Sequence, residues 1–371
     1  MRTNNVLGLI YSNAYDNAIP ELTGLRTMGS IPFGGRFRLI DFVLSNMVNY
    51  GISKVGVATK ANYQSLMDHL GTGKPWDLSR KNAGMFLLPP FSVRGASGTS
   101  NRIEVLRGCM NFLSHSKEEY VVVSDCNFVC NIDLEEMFEQ HAASGADVTV
   151  AYRNGIKPVL DDLMTFDFDP YGRVQRISTG APIGSKECFS LNVFLMRKAL
   201  LERLITEADN LDYTDFERDI FQRNVHTLKI RGYEATGFVR VIDSLQSYYD
   251  ANMDLLVREN RGQLFTPERP IYTKVHDDMP ATYGLGSDVS NSLVADGCVI
   301  EGTVENSILF RGVHVGKGAV VRDSILMQHS MIGDGAKLSC VVSDKSVIIK
   351  PGKTISGDKT YPIYIGKGII I

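Results

Sequence analysis

The chain has 371 residues, 44% hydrophobic and 22% charged, with a formal net charge of −3 at pH 7. That length exceeds a single core and divides into two domains, and a near-neutral balance without long runs of one sign points away from nucleic-acid and membrane-surface partners. No apolar run approaches the ~20 residues of a membrane helix. The N-terminus shows no cleavage pattern for export, and the six scattered cysteines contain no CxxC pair. The sequence therefore reads as cytoplasmic, with cysteines acting as small buried hydrophobes rather than as a zinc site or disulfide framework.

In chain order, Val6–Ile10 is a short buried strand. The loop after it, from Tyr11 to Gly24, contains no glycine until its end and no arginine or lysine before Arg26. The stretch Ser30–Gly51 follows, dense in backbone and charge signals. Gly34 and Gly35 come after a Pro-Phe turn, and Arg36 and Arg38 alternate with Phe37 and Leu39. Asp41 stands as a helix N-cap, and Ile40, Val43, Leu44, Met47 and Val48 fall on one helical face ended by Gly51. Arg36 and Arg38 offer two guanidinium forks to an effector anion or to a subunit interface. Lys60, His69, Lys74 and Arg80 would extend that basic patch.

Lys54–Ala58, Met85–Leu88, Tyr120–Ser124 and Asp147–Tyr152 read as strands. The spacing predicts helices over Asn62–Leu70 and Ser100–His115, and another after the capping-box-like Asp133 and Glu136. This rhythm implies a mostly parallel sheet covered by helices, with ligands bound beyond the carboxyl ends of its strands. Tyr11–Gly24, Thr59–Asn62 and Asp125–Asn127 would then share one edge. Residues 160–240 are richer in strand pattern, Ser244–Arg258 reads as a closing helix, and Pro267 and Pro270 mark a linker. The expected division is 1–265, a linker over 266–288, and 289–371. In the last part Glu305–Leu309 (ENSIL) recurs as Arg322–Leu326 (RDSIL), and Val315–Ala319 (VGKGA) as Ile332–Ala336 (IGDGA), each seventeen residues later. Short-period repetition of this kind predicts stacked three-sided coils, a parallel β-helix.

The run Pro32–Asn46, PFGGRFRLIDFVLSN, closely resembles the PFGGKYRIIDFxLSN signature of bacterial ADP-glucose pyrophosphorylases. The likeness extends over Asn49–Ser53, Tyr63–His69, the strand ending in Asp125, Ser247–Leu255 and the β-helix. It implies a Rossmann-like, GT-A-type nucleotidyltransferase α/β domain followed by a left-handed β-helix of hexapeptide repeats. It also implies a family reaction joining ATP and glucose-1-phosphate into ADP-glucose and pyrophosphate for glycogen. The family supports that reaction with a glycine-rich loop, a lysine after it, two Mg²⁺-binding aspartates and a sugar-phosphate lysine.

Against that pattern this chain departs repeatedly. Tyr11, Asn13 and Tyr15 carry Cβ atoms where close backbone approach to phosphate is needed. The lysine–proline position reads Met28-Gly29, the second aspartate position reads Val241 with Asp243 two residues on, and the sugar-lysine region reads Val174–Gly180 (VQRISTG). The small-residue start of the GTAxA helix reads Asn101-Arg-Ile-Glu-Val105. The aspartate of the GDH motif survives as Asp125. The resemblance thus implies a vestigial nucleotide and metal cleft around Ser12, Asp125 and Asp243. Asp125 is its candidate Mg²⁺ ligand, with Mg²⁺ required only if the cleft is active. It implies a sugar-side cleft around Ser190 and Asp215, the latter also readable as a helix N-cap. Effectors of this family, sugar phosphates or nucleotides, bind near the position of Arg36.

The pattern is similar to the D-type, non-catalytic subunit of the family. Such a chain joins a catalytic homologous subunit in a heterotetramer and alters its turnover and effector response. Two other readings stay open: an active glucose-1-phosphate adenylyltransferase using Asp125 with Asp243, and a sugar-phosphate or nucleotide sensor without turnover.

Overall fold

The structure, a computed structural model, describes residues 5–80, 83–89, 102–160 and 162–371. Its first domain is built on a nine-stranded sheet. Strands β1 (Val6–Tyr11), β2 (Lys54–Ala58), β3 (Gly84–Leu88) and β4 (Tyr120–Asp125) are mutually parallel in the order β3-β2-β1-β4. All six residues of β4 are buried, as its unbroken apolar run requires of a strand covered on both faces. The chain continues through β5 (Val148–Ile156), β6 (Thr165–Phe168), β7 (Val174–Ser178), β8 (Lys186–Arg197) and β9 (Ile230–Glu234). β8 runs antiparallel to β4, β5 and β6, and β6 and β7 are antiparallel as well. The expected parallel order therefore holds for the half carrying the first loop. In the other half β8 runs antiparallel to its neighbours, while β9, reached through the helices Lys198–Asn210 and Phe216–Gln222, returns to pair parallel with β5.

Helices cover both faces: α1 (Leu39–Asn49), α2 (Gln64–Leu70), α3 (Arg102–Gly108), α4 (Leu134–Ser144), α5 (Lys198–Asn210) and α6 (Leu245–Met253). The helix expected over Ser100–His115 is two short ones, α3 and Met110–Ser114, and Ser100 and Asn101 lie outside the described residues. Asp41 is not the N-cap of α1. Arg38 holds that position, and Asp41, three residues in, reaches back to accept the Arg38 N–H at 2.9 Å. Its other carboxylate oxygen is 2.6 Å from His69 Nε2. No helix among the described residues is long and apolar enough to cross a membrane.

The second domain is a parallel β-helix of three five-stranded sheets. Residues one coil apart pair in register, Val315 with Ile332 and Ile308 with Ile325. Ile300, Val315, Ile332 and Ile349 stack in its closed interior. Corners are turned in the left-handed region by Asn291, Asn306, Asp323 and Cys340, with φ between 41° and 51°; asparagine and aspartate tolerate it best. The first rung strand, Thr282–Tyr283, falls within the stretch expected as linker.

The two domains share a core. Pro32–Phe33 and Phe37–Arg38 form a hairpin whose turn glycines have φ of 58° and 83°. Around it Phe33, Phe42, Tyr248, Tyr249 and Leu255 pack with Ile308, Phe310, Ile325 and Val342 of the β-helix. Tyr248 Oη donates to Pro32 O and Tyr249 Oη to Asp323 O, both at 2.7 Å. Beside the hairpin, Arg26 Nη2 donates to both carboxylate oxygens of Asp344 at 2.8 and 2.7 Å, both side chains buried.

Candidate functional site: a self-paired cleft and a cationic seam

A cleft of about 960 Å³ opens where the sheet predicts it, at the carboxyl ends of the parallel strands, and Asn13, Tyr15, Asp16, Lys60, Asn62, Arg102, Asp162, Asp215 and Glu217 are among its lining. The loop after β1 is knitted into the protein. Asn13 Nδ2 donates to Asp16 and to Ala61 O, and its Oδ1 accepts the Lys60 N–H at 2.7 Å. The Met28 N–H points at Asp16 Oδ1, 2.7 Å away, and Gly29 N–H at Ser12 O, 3.0 Å away. Amides that could meet phosphate oxygens are thus spent internally. Burial pushes the Asp16 carboxyl up to about 6, against the pull of these hydrogen bonds. Tyr15 sits at φ 61°, a strained setting for an aromatic residue.

Behind the loop, Asp125 is fully buried at the end of β4. Arg102, the first residue of α3, places its fork on both carboxylate oxygens at 2.5 and 2.6 Å and its Nε on Glu217 at 3.0 Å. Asn192 Nδ2 donates to the same aspartate and to Tyr15 Oη, each at 2.9 Å. The guanidinium also lies 5.5 Å over the Phe216 ring. Burial alone would lower the Arg102 guanidinium, but Asp125 and Glu217 more than reverse that and hold it protonated. Glu217 is pushed up to about 7 by burial, with Arg102 opposing.

These residues do not fit a divalent cation. Mg²⁺ needs near-octahedral oxygen ligands, yet both oxygens of Asp125 are occupied by Arg102. Asp243 does not face the cleft: its Oδ2 accepts the Val159 N–H at 2.6 Å and its Oδ1 the Ser244 hydroxyl at 3.0 Å. No group of three or more His, Cys, Asp or Glu that could hold a metal occurs among the described residues.

The other expected residues are dispersed. Ser12 is buried and donates to Ala58 O at 2.9 Å. Ser190 is buried at an irregularity between β8 and β5, where its hydroxyl donates to Asn192 Oδ1 at 3.0 Å. Asp215 lines the cleft and caps the helix Phe216–Gln222 by accepting the Arg218 N–H at 2.8 Å. Of the basic patch, Lys60 lines the cleft, His69 is buried against Asp41, Arg80 pairs with Asp77, and Lys74 opens a short turn.

Arg36 and Arg38 lie on the seam between the domains. Arg36 is exposed and lines a groove of about 310 Å³ with Gly34, Gly35, Phe37, Arg261 and Phe265 of the first domain and Leu293–Ala295 of the β-helix. Arg38 Nη1 donates to Ser65 O and Oγ at 2.5 and 2.9 Å, and burial lowers its guanidinium to about 10. The β-helix supplies Lys345. Burial, then Arg38 and Arg26, push its ammonium down to about 7, Asp344 only partly resisting. Sequence reasoning missed Arg102, Glu217, Asn192 and Lys345 as functional groups. Arg102 alone left a signal, a charged residue at a helix start where small ones were expected.

A parallel-sheet cleft followed by a hexapeptide β-helix defines a nucleotidyltransferase-type chain. A family model described as "Nucleotidyl transferase" matches residues 21–176, and one described as "GlmU-like, C-terminal hexapeptide" matches residues 278–361. The chain is 37% identical over 370 residues to the glycogen biosynthesis protein GlgD of Bacillus subtilis (strain 168), covering 100% of this chain and 98% of that protein. It is 39% identical over 371 residues to GlgD of Geobacillus stearothermophilus, covering 99% and 97%. To a glucose-1-phosphate adenylyltransferase of Clostridium perfringens (strain SM101 / Type A) it is 30% identical over 384 residues, covering 94% and 97%. The chain belongs to the ADP-glucose pyrophosphorylase family, on its D-type side.

Proposed function

We propose that this chain is a non-catalytic regulatory subunit in glycogen biosynthesis, modulating a catalytic homologue that converts ATP and glucose-1-phosphate to ADP-glucose. The observation that carries the reading is the pairing of Asp125 with Arg102, which leaves neither oxygen of that aspartate free to position a metal–triphosphate. The names of the similar proteins support the pathway. A charged group missing from a nucleotidyl-transfer site commonly costs two to three decades of rate, and here loop, cation and second aspartate are all altered. The isolated chain, given saturating ATP, glucose-1-phosphate and Mg²⁺, should form no ADP-glucose above background. Co-purified with a catalytic homologue, it should form a hetero-oligomer with changed kcat or effector response. Turnover near 1 s⁻¹, ordinary for an enzyme, or failure to assemble, would refute the reading. The same reading includes an anionic effector, a sugar phosphate or nucleotide, at the seam of Arg38 and Lys345, where a ligand would relieve the mutual repulsion that lowers Lys345.

A further inference from the structure

Asp125 is a fully buried carboxylate, and a buried charge persists only when it is paired and hydrogen-bonded. The members of this family that do chemistry meet that need with a metal ion at the corresponding aspartate, as the sequence resemblance implies. Here the need is met from within the chain. The Arg102 fork takes both oxygens, its Nε reaches Glu217, and Asn192 supplies a further donor. Arg102 is itself only 9% exposed and is covered on one side by Phe216, so the charge is sealed in rather than exchanged with solvent. A guanidinium cannot lose its proton at any ordinary pH, so this cation, unlike a bound ion, is never absent.

We propose that the Arg102 guanidinium is the resident cation of this cleft, standing on Asp125 in place of a divalent ion, so that the cleft keeps its shape with neither metal nor nucleotide bound. α3 would then be tied by its first residue to the end of β4, and through Glu217 to the helix Phe216–Gln222. In a metal-dependent site those elements would be free to move when the ion leaves. The inference deepens the non-catalytic reading and rests on it only in that Asp125 holds no metal. Assembly with a partner is tested separately, so either can fail alone.

The test uses Mn²⁺ as the probe, followed by its electron paramagnetic resonance signal, together with thermal melting. The wild-type chain should show no saturable Mn²⁺ binding and the same Tm in Mg²⁺ as in EDTA. Arg102→Ala should lower Tm by roughly 5–10 °C, as expected when one partner of a buried pair is removed. Millimolar guanidinium or Mn²⁺ should then return part of the loss, which a merely structural side chain would not permit. Arg102→Ala combined with Asp125→Asn, which removes both charges, should melt above Arg102→Ala by at least half of the original loss. Saturable Mn²⁺ binding by the wild type that disappears in Asp125→Asn would overturn the proposal. So would a double variant no more stable than Arg102→Ala, or an Arg102→Ala chain that neither cation stabilises. Should Arg102→Ala fail to fold, the wild-type binding experiment and the melting of the double variant still decide.

Discussion

The cleft and the interdomain seam use the same residue types to opposite ends. In the cleft, Arg102 sits on Asp125 and Glu217, and Arg218 lies between Asp215 and Asp219. At the seam, Arg26 is matched to Asp344, but Lys345 is buried and stands among Arg38, Arg26 and Lys367, with Asp344 only partly opposing them. Nearby Arg311 is lowered by burial and then by Arg36; its Nε has no hydrogen-bond partner among the described residues, and its counter-charges Asp278 and Asp296 stand off at 3.8 and 4.0 Å. Charge left unbalanced is where a ligand gains most, because it removes repulsion as well as adding contacts. Charge already balanced has nothing to offer an anion. The contrast supports the proposal that an anionic effector binds at the seam rather than in the cleft.

The largest effect should come from breaking the matched pair at the seam. Arg26→Ala leaves Asp344 buried without its guanidinium partner, keeping the hydrogen bonds from Tyr364 Oη at 3.1 Å and the Lys345 N–H at 2.7 Å. Losing one partner of such a pair costs ~3–5 kcal/mol. Urea unfolding should show that loss, and limited proteolysis should show earlier cleavage between the domains. Adding Asp344→Asn should recover part of the stability; an unchanged midpoint for Arg26→Ala would mean that the pair does not clamp the domains. A smaller effect should follow at the hairpin. Gly34 has φ 58°, a Cβ there would lie 2.9 Å from Leu255 Cδ1, and its N–H donates to Asn252 Oδ1 at 2.9 Å. Gly34→Val should cost about 1–3 kcal/mol through backbone strain and overlap, read by the same unfolding curves. A cost no greater than that of an exposed surface substitution would show that the hairpin can shift without disturbing the seam.

What the sequence disclosed differs between the two regions for physical reasons. The β4 run and the seventeen-residue repeat are local periodicities, and both stand in the structure as strands and coils. The antiparallel insertion of β8 between β4 and β5 is a matter of long-range pairing, which no local pattern encodes. Sequence alone reads Asp41 as the helix N-cap because acidic residues favour both that position and the third residue of a capping box; the backbone of Arg38 decides between them. The loss of the glycine loop could be read directly. What filled the space could not, because Arg102 meets Asp125 and Glu217 across 23 and 115 residues of chain. Lys345 reaches Arg38 only after the β-helix has docked, and no pattern around either residue announces the other.

The smallest effect is also the most discriminating, because it has a sign in pH. Lys345 has its ordinary value of 10.5 lowered to about 7 in the folded chain. Between those values the unfolded chain binds a proton that the folded chain does not, so stability rises with pH across that window. Lys345→Met should flatten this rise and make the chain more stable than wild type at neutral pH, because it removes an ammonium that is disfavoured in the folded state. An anion at the seam reverses the bias by favouring the charged ammonium, so binding takes up a proton. Sulfate, whose own charge is constant near neutrality, should therefore raise Tm more at pH 6 than at pH 9 in the wild type, and equally at both in Lys345→Met. A sulfate shift independent of pH in the wild type would remove Lys345 from the seam's anion response and leave Arg36 and Arg38 as its carriers.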